Sequence, residues 1–143
     1  MTHYYFAYGV NTNIDSMSLR CPTAKLIGNA WIDGYAFCWR GHADIELNTD
    51  AYTLGVLWEI SDDDMYALDR FEGMPRHYTR QRVIISTSGR NYNGWAYIMV
   101  NQTAEHIPDD AYRDTVFEGY RQNDLSCQQL VDGLARLGVV YTG

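Results

Sequence analysis

SDDDMYALDRFEGMP, residues 61–75, is where the chain changes period. The residues just before it, Tyr52 to Ile60, are β-branched and aromatic and read as a strand. From Ser61 onward the pattern is helical. Ser61 suits an N-cap, and Asp62, Asp63 and Asp64 sit where the helix dipole favours negative charge. The spacing predicts a helix to about Phe71, with Gly73 as a C-terminal cap and Pro75 barring continuation. At about 100° per residue, Met65, Leu68 and Glu72 fall within roughly 60° of one another. Glu72 therefore lies on the stripe that should face the core. Asp69 lies close to the same stripe and reads as a helix-end or loop-bonding residue.

N-terminal to this helix, Tyr4 to Tyr8 reads as a strand that runs into Gly9. Asn11 and Asn13 are cap or turn residues, and a short helix extends to about Arg20, stopped by Pro22. Ala24 to Trp39 holds one or two strands, broken near the turn dipeptide Asp33-Gly34. Ile45 to Leu47 and Tyr52 to Ile60 read as hairpin arms joined through Asn48-Thr49-Asp50. On the C-terminal side, Tyr78 to Ser86 and Gly94 to Val100 are strands flanking a Ser88-Gly89 turn. Two helices close the chain, one from about Asp109 to Gln122. The other follows Ser126, whose spacing to Gln129 is a capping-box pattern, and ends near Gly138. Strands interrupted by single helices give an α+β class: a mostly antiparallel small β-barrel or mixed sheet with packed helices. The 143 residues suit one domain, 1–143.

Composition narrows the function. Hydrophobic residues make up 46 % of the chain, enough for a sizeable core, and the 14 % aromatic content argues against disorder. The net charge is -7 and the 11 basic residues are scattered, so nucleic acid is not an expected partner. No apolar stretch approaches the roughly 20 residues of a membrane span, and the first residues do not read as a signal peptide. Cys21, Cys38 and Cys127 form neither a metal pattern nor a disulfide framework, which fits a reducing, cytoplasmic setting and buried thiols.

Three places could carry chemistry. A carboxylate on an apolar helix face is costly to ionise, so burial would raise the Glu72 pKa toward the range useful for proton transfer. YFAYGVN, residues 5–11, is a strand entering a glycine turn before a short helix. Such a turn leaves backbone N–H groups free to cradle a carboxylate or phosphate, although one glycine also makes an ordinary tight turn. His42, Asp44 and Glu46 alternate and would share a strand face. Nothing in the sequence orients them as metal ligands, and they read as a solvated face beside a hairpin. No Ser or Cys stands in a nucleophile elbow.

Taken together, four segments resemble the γ-glutamylcyclotransferase family, also called AIG2-like or YtfP-like. They are YFAYGVN, LGVLWEIS (54–61), ALDRFEGMPRHYTR (67–80) and WAYIM (95–99), and they occur in the family's order. The tail from Ala111 to Leu137 resembles the C-terminal helices of the cyclotransferase branch. The resemblance implies a small lyase-like enzyme that needs no metal and no cofactor. In such an enzyme the α-amine of a γ-glutamyl compound attacks its own γ-carbonyl, closing 5-oxoproline and releasing an amine or amino acid. It implies Glu72 as the catalytic acid/base. It further implies that Tyr8, Gly9, Val10 and Asn11 hold the substrate, with Tyr78 and Tyr97 lining the pocket and orienting substrate or glutamate. The expected partner is a small γ-glutamyl molecule, and the expected assembly a monomer or homodimer.

The chain departs from the family at Val10, where serine is usual. Valine keeps the backbone N–H and loses a hydroxyl. A β-branched residue disfavours positive φ, so Val10 is expected in a β or bridge conformation, with Gly9 taking any unusual angle. The alternative function is a binding module that holds a small anionic or amino-acid-like metabolite in the same pocket without turnover. A third is related amide or ester chemistry on another metabolite.

Overall fold

The computed structural model describes residues 1–142. In chain order the elements are β1 (Thr2–Ala7), a 3-10 turn (Val10–Thr12), α1 (Ile14–Arg20), β2 (Lys25–Arg40), β3 (His42–Ser61), α2 (Asp62–Phe71), β4 (Tyr78–Ser86), β5 (Asn91–Met99), α3 (Asp110–Gln122) and α4 (Gln128–Arg136). The strands close into a barrel in the order β1-β3-β2-β4-β5. Pairing is antiparallel except where β1 meets β5 in parallel at Tyr5↔Trp95. The α+β class with a small, mostly antiparallel barrel is thus the observed architecture.

The barrel is filled by the inward positions of every strand. Phe6, Ile32, Trp39, Ile45, Leu57 and Ile85 are fully buried. Phe117, Tyr120, Leu130 and Leu134 cover one side from α3 and α4. α4 is tied to β2 by the Trp39 indole N–H, which donates to the Leu130 carbonyl at 3.1 Å. Burying side chains of this size supplies most of the driving force, at roughly 25 cal/mol per Å2 removed from water.

Two local expectations are corrected by the strand register. β2 and β3 are each continuous, and the hairpin turn between them is Arg40-Gly41-His42, with Gly41 at φ +75°. Asn48-Thr49-Asp50 is not a turn between arms. It belongs to a bulge in β3, where residues 48–51 stand opposite Gly34 alone, between the pairs Tyr35↔Leu47 and Asp33↔Tyr52. Turn-forming residues mark a bulge as readily as a hairpin, because both need local relief from the ladder.

His42 is exposed and Glu46 half-buried, as a solvated face requires, but Asp44 between them is not. Asp44 is fully buried and accepts from Arg40 Nη1 at 2.6 Å, from Gln102 Nε2 at 3.2 Å and from the Met99 N–H at 3.0 Å. Glu46 accepts from Arg40 Nη2 at 2.5 Å. Arg40 folds its guanidinium back across the tight hairpin, and that partner makes a buried carboxylate tolerable. The capping box anticipated at Ser126 is also absent. Cys127 is the N-cap of α4 and makes no side-chain cap bond. Gln129 reaches instead across to the backbone of Leu54, accepting its N–H and donating to its carbonyl, both at 2.9 Å. Cys21 and Cys38 are buried, and that burial pushes both thiols up to about 12. No helix among the described residues is long and apolar enough to cross a membrane.

Candidate active site

The helix α2 forms as its sequence dictates. Ser61 Oγ accepts from the Asp64 N–H at 3.1 Å, and the Asp64 carboxylate accepts from the Ser61 N–H at 3.0 Å, a complete capping box. Met65 and Leu68 point into the core. The helix stops at Phe71, and Gly73 turns the chain at φ +67°. Glu72 is therefore the C-cap, with its N–H still bonded to the Leu68 carbonyl at 2.9 Å. Its side chain keeps the direction of the buried stripe although the helix has ended.

That direction leads into a narrow recess at the barrel mouth, about 20 Å3 in volume, lined by Glu72, Tyr5, Tyr8, Gly9, Val10, Asn11, Tyr78, Tyr97 and Tyr112, with Phe6 and Ala43 behind them. The glycine loop and the glutamate thus line one recess. A second chamber of about 280 Å3 adjoins it and shares Val10, Glu72, Tyr78 and Tyr112 as walls. Phe71, His42 and His77 complete that chamber. Glu72 stands at the boundary between the two spaces.

Electrostatics single out Glu72. Burial raises its pKa from 4.5 to about 7, opposed by the nearby Arg20 guanidinium. Arg20 lies 3.5 Å over the Phe71 ring, and its Nη1 donates to the Ser16 carbonyl at 2.8 Å. Near neutral pH the glutamate can both accept and donate a proton. The surrounding phenols are pushed the same way. Burial raises Tyr5, Tyr8, Tyr78, Tyr97 and Tyr112, so all remain protonated.

The loop is held by its own bonds. The Thr12 N–H and hydroxyl both donate to the Gly9 carbonyl, at 3.1 and 2.7 Å, and the Trp58 indole donates to the Asn11 carbonyl at 2.9 Å. Val10 opens the 3-10 turn, so it is helical with negative φ rather than extended, and the unusual angle falls on Gly9 at ψ -132°. A Cβ on Gly9 would stand 3.0 Å from that of Ala43 and 3.3 Å from the Tyr112 hydroxyl, so this position must stay small. Among the described residues, the N–H groups of Gly9 and Asn11 meet no acceptor. Asn11 is buried, donates its amide to the Tyr5 hydroxyl at 3.1 Å, and leaves Oδ1 without a partner on the recess side of the fold.

The two pocket tyrosines spend their hydroxyl protons on the scaffold. Tyr78 donates to the Ala43 carbonyl at 2.7 Å, and Tyr97 to Asp69 Oδ1 at 2.6 Å. Asp69 also takes a two-pronged contact from Arg80, at 2.7 and 3.2 Å. It is the helix-end bonding residue anticipated, and it fixes one pocket wall. Tyr8 likewise donates to the Tyr97 carbonyl at 2.5 Å. Three site residues escaped the sequence reading: Tyr5, Tyr112 and Arg20. Tyr112, from α3, accepts from the Ala43 N–H at 3.1 Å and also interacts with the Val10 backbone. Nothing local in its sequence marks it, since only the docking of α3 brings it to the loop. Tyr5 was visible as the first residue of YFAYGVN, on the strand face that points inward.

A closed five-stranded barrel with a buried carboxylate beside a glycine loop at its mouth defines the class of protein. The chain belongs to the γ-glutamyl cyclotransferase, AIG2-like family, whose model matches residues 5–114. Solved structures share the fold. One described as a γ-glutamyl cyclotransferase has a TM-score of 0.82 at 21 % identity, covering 100 % of this chain and 92 % of that one. An uncharacterized protein from Homo sapiens has a TM-score of 0.81 at 22 % identity, covering 99 % and 92 %. YkqA from Bacillus subtilis has a TM-score of 0.81 at 22 % identity, covering 99 % of this chain and 56 % of its own. At these identities the likeness is one of fold. No curated protein matches the chain significantly in sequence.

Proposed function

We propose that this protein is a γ-glutamyl cyclotransferase that converts a γ-glutamyl amide to 5-oxoproline and a free amine, with Glu72 as its acid/base. The observation that carries the reading is the Glu72 carboxyl, raised to about 7 and lining the same recess as the loop from Tyr8 to Asn11. The substrate's α-ammonium cannot attack until it loses a proton. Glu72 as carboxylate takes that proton. The freed amine attacks the γ-carbonyl carbon, and the new C–N bond closes a five-membered ring. As the bond to the leaving nitrogen breaks, Glu72 returns the proton to it, and the second proton that the ring nitrogen sheds on becoming an amide passes to the released amine, which departs as an ammonium. The reaction consumes no water and needs no enzyme nucleophile. Attack within one molecule gains from proximity.

The loop supplies what this chemistry needs around the carboxylate. The open N–H groups of Gly9 and Asn11 can hold the α-carboxylate or the developing oxyanion. The unpartnered Asn11 Oδ1 can accept from the ammonium. The Tyr5 hydroxyl accepts from Asn11 and keeps its own proton to donate. Tyr78 and Tyr97 shape the wall, their hydroxyls anchored to Ala43 and Asp69.

The test is release of 5-oxoproline from a panel of γ-glutamyl amines and amino acids. Turnover of at least one compound, abolished in Glu72→Gln with the fold intact, is the expected result. Full activity in that variant would remove Glu72 from the mechanism. Tight binding without release by the wild type would make the protein a binding module.

A further inference from the structure

Arg20 is the last residue of α1, and the end of that helix is tied to α2 by the Cys21 thiol, which donates to the Asp64 carbonyl at 3.7 Å. The Arg20 guanidinium lies 3.5 Å from the centre of the ring of Phe71, the residue next to Glu72. Its Nη1 donates to the Ser16 carbonyl of its own helix at 2.8 Å. Carboxylates pair with Arg40, Arg80, Arg113 and Arg136, whereas among the described residues none pairs with Arg20. Arg20 Nε is the single buried side-chain donor without an acceptor among those residues. A sealed donor of this kind is costly to leave unmet, and on a cation the strongest acceptor is a carboxylate. Glu72 is the carboxylate whose charge acts on it, and Arg20 acts on Glu72 in return. The other groups around Glu72 do not compete for this role. Burial keeps the phenols of Tyr5 and Tyr8 on β1, Tyr78 on β4, Tyr97 on β5 and Tyr112 on α3 protonated, and the Cys21 thiol as well. Asp69, three residues earlier in α2, is occupied by Arg80. His42 from β3, whose pKa burial lowers, and His77 line the neighbouring chamber and offer no anion.

We infer that Arg20 is a positioning residue: the ionised Glu72 carboxylate docks on the free Nε–H, and the ion pair holds Glu72 as the base that meets the substrate's ammonium. The catalytic half of this rests on the cyclotransferase reading, and the pairing of the two side chains does not. Arg20 lines neither the recess nor the chamber, so the pair leaves both spaces open. A carboxyl among rings and phenols alone would keep its proton at neutral pH and could accept no other. A guanidinium is always charged, so it favours the ionised form throughout the working range. When Glu72 takes the ammonium proton, its charge is lost and the pair with it. Handing that proton to the leaving nitrogen restores the carboxylate and the pair, so Arg20 favours the second transfer too.

Two variants separate charge from packing: Arg20→Gln removes the charge and keeps a donor, and Arg20→Lys keeps the charge. The Glu72 titration is read by NMR at its own carboxyl carbon in protein labelled with 13C-glutamate, the signal being the one missing from Glu72→Gln. Reading that carbon keeps the imidazoles of His42 and His77 out of the measurement. The midpoint should lie about one unit higher in Arg20→Gln than in the wild type, and within about half a unit of the wild type in Arg20→Lys. In the wild type the Arg20 15Nε signal should move over the same pH range as Glu72, and in Glu72→Gln it should stay still. A Glu72 midpoint unmoved in Arg20→Gln, or a wild-type 15Nε signal indifferent to that titration, overturns the inference. With a γ-glutamyl compound that is turned over, Arg20→Gln should lose about tenfold in kcat/KM at pH 6 and recover most of it by pH 9, with Arg20→Lys close to wild type at both. An equal loss at every pH in both variants would make Arg20 merely structural. The NMR arm needs no substrate. The expected shifts without 5-oxoproline release from any compound would sink the cyclotransferase reading and leave the Arg20–Glu72 pair standing.

Discussion

Replacing Glu72 with glutamine should make the fold more stable at alkaline pH, and the size of the gain follows from the burial of the carboxyl. In the folded protein its pKa lies at about 7, against 4.5 for an ordinary glutamate, with burial as the main cause. Between those values the folded chain holds a proton that the unfolded chain has released. Stability therefore falls as pH rises through this window, and above pH 7 the wild type carries the whole deficit. At about 1.4 kcal/mol per pH unit, the deficit comes to roughly 3 kcal/mol. Glutamine has nearly the same shape and cannot ionise, so it escapes the penalty. Urea unfolding of both proteins at pH 4.5 and pH 8.5 measures it. The difference between wild type and Glu72→Gln should be small at pH 4.5. By pH 8.5 it should have grown in favour of the variant by roughly 2–3 kcal/mol, a midpoint shift of about 1–2 M for a protein of this size. Any packing effect of the substitution cancels in the comparison, because it is present at both pH values. A difference that does not change between the two would refute the premise that this carboxyl is held neutral by burial. The assay needs no substrate, so it tests the environment of Glu72 independently of any activity.

Where activity is found, kcat/KM should rise with pH through an apparent pKa near 7, as Glu72 becomes the carboxylate that accepts the ammonium proton; a pH-rate profile flat from 5 to 9 would contradict this. Asp69→Asn breaks the paired contact with Arg80 and weakens the bond from Tyr97, both only partly exposed to water, and should cost about 1.5–3 kcal/mol in denaturant unfolding while loosening the pocket wall and lowering kcat. Arg40→Met leaves the fully buried Asp44 without its counter-ion and should cost about 3–5 kcal/mol, read as a drop in thermal midpoint; a loss below 1 kcal/mol would mean the cluster is not the structural lock it resembles.

How far the sequence was legible differs from element to element, for physical reasons. The capping box at Ser61 and the stop at Gly73-Met74-Pro75 are local signals, and α2 sits where they place it. The same holds for Asn13, whose side chain accepts from the Ser16 N–H at 3.0 Å at the start of α1, and for Asp109 at the start of α3. The bulge at residues 48–51 was not legible, because a turn dipeptide reports a local departure from the ladder and is silent on whether the strand resumes in the same direction. The buried Asp44 was missed for a related reason. Alternation places His42, Asp44 and Glu46 on one face, but whether that face is wet depends on Arg40, and their proximity exists only once the hairpin at Gly41 has formed. Tyr112 is the extreme case, since it reaches the loop only through the docking of α3, 69 residues beyond its partner Ala43.

The position of Glu72 explains why one residue can be both costly and securely placed. Were it one turn earlier in α2, at the place of Leu68, its carboxyl would be sealed in the core. Were it one residue later, it would take the place of Gly73, where φ is +67° and a side chain is strained. As the C-cap it inherits the aim of the buried stripe while standing at the edge of the barrel, next to space that a ligand can enter. The capping box at the other end of the helix fixes that aim from outside the site, and the Asp69 contacts to Arg80 and Tyr97 tie the helix end to the recess wall. Val10 stands opposite, on the wall common to recess and chamber. Its side chain is an apolar surface on that shared wall. On the proposed cyclotransferase reading, the departure from serine at this position would bear on which substrate is accepted rather than on proton transfer at Glu72.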